Sequence, residues 1–127
     1  MSPQQVSEVR AVAAAPAVRG KIGERAALLI ERHRGGPARA VMSGEFDMTS
    51  AGLLAGALCE AVEAEPAGLS LDLSAVEFCD CSTAHALMAA KAFARTRGRA
   101  FTLAPCSFHV TRVLTLAGAG QLLAVPG

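Results

Sequence analysis

The residues best suited to chemistry lie together in Asp80-Cys81-Ser82-Thr83, with His85 close behind. They stand where an apolar run, Leu69 to Cys79, gives way to an Ala-rich amphipathic stretch. A hydroxyl is therefore set at a strand-to-helix turn. Such a hydroxyl can cap the helix by accepting an N–H two or three residues on, a role worth about 1 kcal/mol. It can also receive a phosphate, which a helix N-terminus tolerates well. A third role is that of a nucleophile, since His85 at i+3 shares a helix face with Ser82 and Asp80 is near. That reading is the poorest of the three. A hydrolase elbow has glycines around the serine, as in Gly-x-Ser-x-Gly, and Asp80-Cys81-Ser82-Thr83-Ala84 has none. His85 then reads as a surface histidine in a first helical turn.

Four cysteines, at positions 59, 79, 81 and 106, are the other reactive groups. Cys79 and Cys81 share a face if the strand continues through both. Cys59, Cys106 and His85 do not complete a zinc spacing with them. Small buried thiols are the better reading. Cys81, beside a helix start, is a candidate for a lowered thiol pKa and a redox switch. Glu45, Asp47 and Asp80 can be imagined around a divalent cation, but they read better as surface acids. No Gly-rich loop of the phosphate-cradling kind occurs, and neither a metal nor a cofactor is expected.

Strands and helices must alternate to position these groups. Residues 1–22 lack periodicity and contain Pro3, Pro16 and Gly20, so they read as a loose extension before a domain spanning 23–127. Ala26–Glu31 and Ala38–Ser43 are apolar runs around Arg34-Gly35-Gly36-Pro37, the mark of a hairpin. After Gly44-Glu45-Phe46-Asp47, Thr49 or Ser50 can cap a helix to about Ala64. Leu54, Leu58 and Val62, with Leu53, Ala57 and Ala61 alongside, form its inward stripe, and Pro66 stops it. Glu60, Glu63 and Glu65 fall toward its C-terminal end, where the helix dipole disfavours acids; sequence alone gives no account of this, though a basic partner would offset it.

Leu69-Ser70-Leu71-Asp72-Leu73 alternates as a strand with one buried face. Ser82–Arg97 reads as a helix burying Leu87, Ala90 and Ala94, with Met88 and Phe93 widening the face. Gly98 closes it, and Arg95 and Arg97 suit the last turn. Ala100–Ala104 is a further strand. Ser107 caps a third helix with Val110, Val113, Leu114 and Ala117 inward, ended by Gly118, and Leu122–Val125 reads as a last short strand. The class is α/β around one mixed sheet of four to five strands.

The totals agree with one such domain. At 127 residues the chain can bury roughly two-thirds of its unfolded surface. Apolar residues at 52% against 18% charged indicate a packed core rather than disorder. Trp and Tyr are absent, which argues against base-stacking nucleic-acid binding. No apolar run reaches the ~20 residues of a membrane span, and no secretory signal is recognisable. Cysteines in such a chain read as reduced cytoplasmic thiols. The net charge of +1 hides a segregation. Residues 44–80 hold eight acids and no Lys or Arg, whereas residues 81–127 hold five Lys or Arg and no acid. This pattern suits a polarised protein partner better than a phosphate backbone.

Four motifs in order make the chain, over residues 26–126, resemble a STAS domain, in particular the bacterial anti-sigma-factor antagonists. Gly44-Glu45-Phe46-Asp47 resembles the family's Gly-Glu-apolar-Asp at the end of an early strand. Leu71-Asp72-Leu73-Ser74, with Val76, Phe78 and Asp80, resembles the strand entering its phosphorylation loop. Asp80-Cys81-Ser82 stands where the family has Asp-Ser-Ser. Val110, Val113, Leu114, Leu116 and Gly118 match its late helix. Cys81 replaces a serine, and Thr83 stands where glycine usually follows the acceptor, adding a second hydroxyl.

The resemblance implies a cytoplasmic anti-sigma-factor antagonist that is not an enzyme. Its partner would be an anti-sigma factor with serine-kinase activity, opposed by a protein phosphatase, with neither nucleic acid nor membrane involved. Ser82 would be the phosphoacceptor, with Thr83 as the second choice. Glu45, Asp47, Asp80, Cys81, Thr83 and His85 would shape the docking surface. A phosphate on Ser82 would add about −1.5 to −2 charge where no Lys or Arg occurs between residues 40 and 90, and would release the partner by repulsion. The alternative is a STAS scaffold or ligand-binding module that works without phosphorylation.

Overall fold

The computed structural model describes residues 17–104 and 106–123. Five strands form one mixed sheet whose spatial order follows the chain: β1 (Ala17–Lys21), β2 (Ala26–Glu31), β3 (Ala38–Phe46), β4 (Leu69–Cys79) and β5 (Phe101–Leu103). β1–β2 and β2–β3 are antiparallel, and β3–β4 and β4–β5 are parallel. Parallel neighbours need long crossovers, and helices supply them: α1 (Met48–Ala64) joins β3 to β4, and α2 (Cys81–Thr96) joins β4 to β5. A third helix, α3 (Phe108–Leu116), and a 3₁₀ turn (Gly120–Leu123) follow.

Period-two burial in β2 and β3 sends Leu28, Ile30, Ala40 and Met42 to one face. There they meet Leu69, Leu71 and Leu73 of β4, Leu54, Leu58 and Val62 of α1, Leu87, Ala90 and Ala94 of α2, and Val110 and Leu114 of α3 in one core. Small residues on α2 match its close packing on α1, because alanines let two helix axes approach. The opposite sheet face carries a charged row, Glu31 on β2, Arg39 on β3 and Asp72 on β4. Arg39 Nη1 donates to Glu31 at 3.4 Å, and its Nη2 pairs with Asp72. Asp72 is only 8% exposed. It also accepts from the Ser74 N–H at 2.8 Å and the Ser74 hydroxyl at 2.6 Å. Ser74 and Arg39 together lower its carboxyl from 3.8 to about 2.

Several expectations move. Of the supposed loose extension, residues 1–16 lie outside the described residues, whereas 17–21 form β1 and Ile22 is buried. The edge of β2 needs backbone partners, and β1 supplies them through Val18 opposite Ile30. Leu53 is not on the inward stripe of α1 but 38% exposed. Leu122 and Leu123 belong to the 3₁₀ turn, not to a strand, and residues 124–127 lie outside the described residues.

Two of the acids closing α1 find cations within the chain. Glu65 pairs with Arg32 at 3.0 Å and Glu63 with Arg97 at 3.2 Å. Arg99 donates to the carbonyls of Val62 and Glu63 at 2.6 and 2.7 Å, which places positive charge at the helix end as the dipole requires. Among the described residues, no helix is long and apolar enough to cross a membrane.

Candidate functional site

β3 and β4 end side by side, with Phe46 opposite Cys79. One residue after each strand a helix begins, and an aspartate caps it: Asp47 for α1 and Asp80 for α2. Both helix starts have the same cause. Thr49, Ser50 and Ser82 read as caps from sequence, but the strand ends fix where the first turn starts. The aspartate two or three residues earlier then falls at the capping position, in extended backbone.

Asp80 Oδ1 accepts the Thr83 N–H at 3.2 Å and the Ser82 hydroxyl at 2.5 Å. Ser82 is the second residue of α2 and half-buried, so its oxygen keeps a solvent side while its proton is committed to Asp80. Thr83 does not lie on the surface. Its side chain is fully buried, with the hydroxyl 3.4 Å from Asp80 Oδ1. The bulk of Thr83 therefore points inward and not toward solvent. Cys81 and His85 are exposed.

Cys79 and Cys81 do not share a face, because the strand stops at Cys79 and Cys81 opens the helix. Cys79 is 2% exposed, and burial, reinforced by the nearby Asp80, pushes its thiol up to about 11. No group of three or more His, Cys, Asp or Glu able to hold a metal ion occurs among the described residues.

Glu45 and Asp47 lie at the end of β3. Gly44 makes their placement possible. Its φ is +96°, and a side chain there would lie 1.9 Å from the Arg25 carbonyl. That carbonyl accepts the Glu45 N–H at 2.8 Å. The Glu45 carboxylate pairs with Arg25 at 3.1 Å. Asp47 Oδ1 accepts both the hydroxyl and the N–H of Thr49, at 2.5 and 2.9 Å, and these bonds hold its carboxyl below the ordinary range. Gly23, Glu24, Arg25, Glu45, Asp47, Thr49 and Ser50 line a concavity of about 290 Å³. Arg25 escaped the sequence reading because it reaches the site from the turn between β1 and β2, twenty residues before Glu45. Met48 (76% exposed) and Phe78 (45%) add apolar surface at this end of the sheet, with Phe78 opposite Glu45 in register.

The arrangement is a hydroxyl on an acidic, partly apolar face at the carboxyl ends of two parallel strands. The family model described as "Mlab, STAS domain" matches residues 31–124. The chain belongs to the STAS domain family. Its fold is that of solved anti-sigma factor antagonists. SpoIIAA, an anti-sigma factor antagonist solved in its unphosphorylated form, superimposes with a TM-score of 0.64 over 79% of this chain and 88% of that one, at 14% identity. An anti-sigma factor antagonist from Mycobacterium paratuberculosis is 27% identical and gives a TM-score of 0.62 over 77% of this chain and 82% of that one. No curated protein matches this STAS domain significantly.

Proposed function

We propose that this STAS domain is an anti-sigma-factor antagonist whose docking face is the carboxyl end of β3 and β4, and that phosphorylation of Ser82 switches it off. The observation that carries the reading is the half-open Ser82 hydroxyl held by Asp80 at the start of α2. Met48 and Phe78 offer apolar contact, and Glu45, Asp47 and Asp80 give the rim its negative charge. A partner of matching chemistry presents apolar groups framed by cations. The partner is an anti-sigma factor with serine-kinase activity, and the antagonist is its substrate rather than an enzyme. Ser82 Oγ would attack the γ-phosphorus of ATP, ADP would leave, and the hydroxyl proton would pass to a base of the kinase.

The added charge of about −1.5 to −2 would fall beside Asp80, on a stretch without Lys or Arg. Repulsion and desolvation against the docked surface then favour release. Binding of Ser82→Ala and Ser82→Asp variants to the cognate anti-sigma factor tests this by calorimetry. The expected result is binding at least about tenfold weaker for Ser82→Asp, a difference of about 1.4 kcal/mol. Equal affinities would refute the switch. They would favour the second reading, a STAS scaffold or ligand-binding module that works without phosphorylation.

A further inference from the structure

At the far end of α2 from Ser82, the chain turns at Gly98 into β5. Lys91, Arg95, Gly98, Arg99 and Phe101 line a hollow of about 250 Å³ there. Three of the five are cations and none is an acid. No Asp or Glu occurs in residues 81–127, so neither α2 nor any later element brings a carboxylate to this end of the domain.

Two of the arginines in this region have structural tasks. Arg97, outside the hollow, pairs with Glu63 at 3.2 Å and lies over the Phe93 ring at 4.4 Å. Arg99 closes α1 by donating to the Val62 and Glu63 carbonyls, but only through Nη1, and a guanidinium carries five donors. Glu63, whose carboxyl Arg97 and Arg99 both lower, is held by Arg97 and does not line the hollow. Lys91 and Arg95 have no comparable task. Arg95 is exposed, with no hydrogen bond or ion pair among the described residues. The Lys91 ammonium meets the Gln121 carbonyl at 3.4 Å. The two stand four residues apart on α2, where like charges repel. The helix dipole favours cations in the last turn, but Lys91 precedes that turn.

We propose that this hollow binds a phosphate-bearing ligand, independently of what happens at Ser82. One ammonium and two guanidinium groups line the space. That set matches the multiple charge and tetrahedral oxygens of a phosphate monoester or pyrophosphate better than the single charge of a carboxylate. The volume is at the small end for a ligand pocket, so it takes a phosphate with a few further atoms and not a dinucleotide. A phosphate on a lipid headgroup and one on a free small molecule present the same chemistry here. Because Arg99 also holds the last carbonyls of α1, a ligand bound to it and to Lys91 and Arg95 joins the ends of α1 and α2 to the start of β5.

Calorimetry with pyrophosphate at low ionic strength tests this on the full chain, as wild type, Lys91→Gln, Arg95→Gln and Arg34→Gln. Arg34 is an exposed cation that does not line the hollow, and its variant serves as the control. Saturable binding by wild type and by Arg34→Gln is the expected result. Lys91→Gln and Arg95→Gln should each bind about tenfold more weakly or worse, the loss of one charge-assisted bond. The thermal midpoint of wild type should also rise with pyrophosphate and that of the Lys91→Gln, Arg95→Gln double variant should not; midpoints without ligand show whether each variant folds. Cosedimentation with phosphatidylcholine vesicles, with and without phosphatidic acid, separates the two sources. Retention that needs phosphatidic acid and is lost in the same variants supports a lipid headgroup, and pyrophosphate binding without retention supports a free phosphorylated molecule. Equal weakening in Arg34→Gln would reveal general charge attraction and overturn the proposal. So would the absence of saturable binding to both pyrophosphate and phosphatidic acid vesicles, or binding that Lys91→Gln and Arg95→Gln leave unchanged.

Discussion

Replacing Asp72 with Asn should remove most of one defined component of the domain's acid sensitivity. Asp72 lies on the open face of the sheet, 8% exposed, where it accepts from Ser74 twice and pairs with Arg39. These contacts favour the ionised form and lower its carboxyl from 3.8 to about 2. A carboxyl whose pKa is lower folded than unfolded stabilises the native state above its unfolded value, and that stabilisation is lost as pH falls through the folded value. A drop of this size corresponds to about 2 kcal/mol. Arg39 is half exposed, so solvent screening reduces its share, and the Ser74 bonds carry the larger part.

Urea unfolding of wild type and Asp72→Asn, measured from about pH 6 to about pH 2, isolates the contribution, because the other carboxyls titrate in both proteins. Wild-type stability should fall by about 2 kcal/mol more than that of the variant over this range, with the divergence concentrated below about pH 4. Parallel curves would show that Asp72 is ordinary in the folded state and that the Glu31–Arg39–Asp72 row does not clamp β3 to β4.

Two further outcomes follow from the site's construction. Gly44→Ala should destabilise the domain by about 1–3 kcal/mol in thermal or urea unfolding. The residue needs φ +96° and has the Arg25 carbonyl against it, so an unchanged midpoint would mean that the backbone at Gly44 relaxes freely. In timed alkylation of the native protein, mapped by peptide mass, Cys81 should react first and Cys79 last. Cys81 is exposed, whereas Cys79 is buried with its thiol at about 11, leaving little thiolate near neutrality. Equal rates would contradict the placement of Cys79 beneath the turn.

What the chain order reveals and what it hides divide along a physical line. Alternating Leu28, Ile30, Ala40 and Met42, and the i+4 series Leu54, Leu58 and Val62, announce their elements because burial follows each element's own period. Hydroxyls at 49, 50 and 82 mark the helix starts to within three residues. The capping atom nonetheless belongs to Asp47 and Asp80, since the start of the turn is set by where β3 and β4 stop pairing. Contacts made across 20 or more residues leave no local trace. Glu63 and Glu65 look misplaced until Arg97 and Arg32 arrive from other elements, and Arg25 enters the candidate site the same way. β1 escaped because Ala17–Lys21 contains Gly20 and carries no clean alternation, and only the unpaired edge of β2 calls for it.

Strand order that follows chain order, β1 through β5, has a consequence for how the molecule is made. Each strand pairs with the one synthesised just before it, so no segment has to wait for a distant partner. The β1–β2–β3 meander closes through short loops, and every later crossover adds one helix and one strand to an edge that already exists. Loop-closure entropy is therefore met in small instalments, the circumstance in which mixed α/β domains fold quickly. The face that carries Ser82 is completed when β4 docks on β3 and α2 starts. A chain emerging from the ribosome would acquire that surface before β5 and α3 are in place to finish the core.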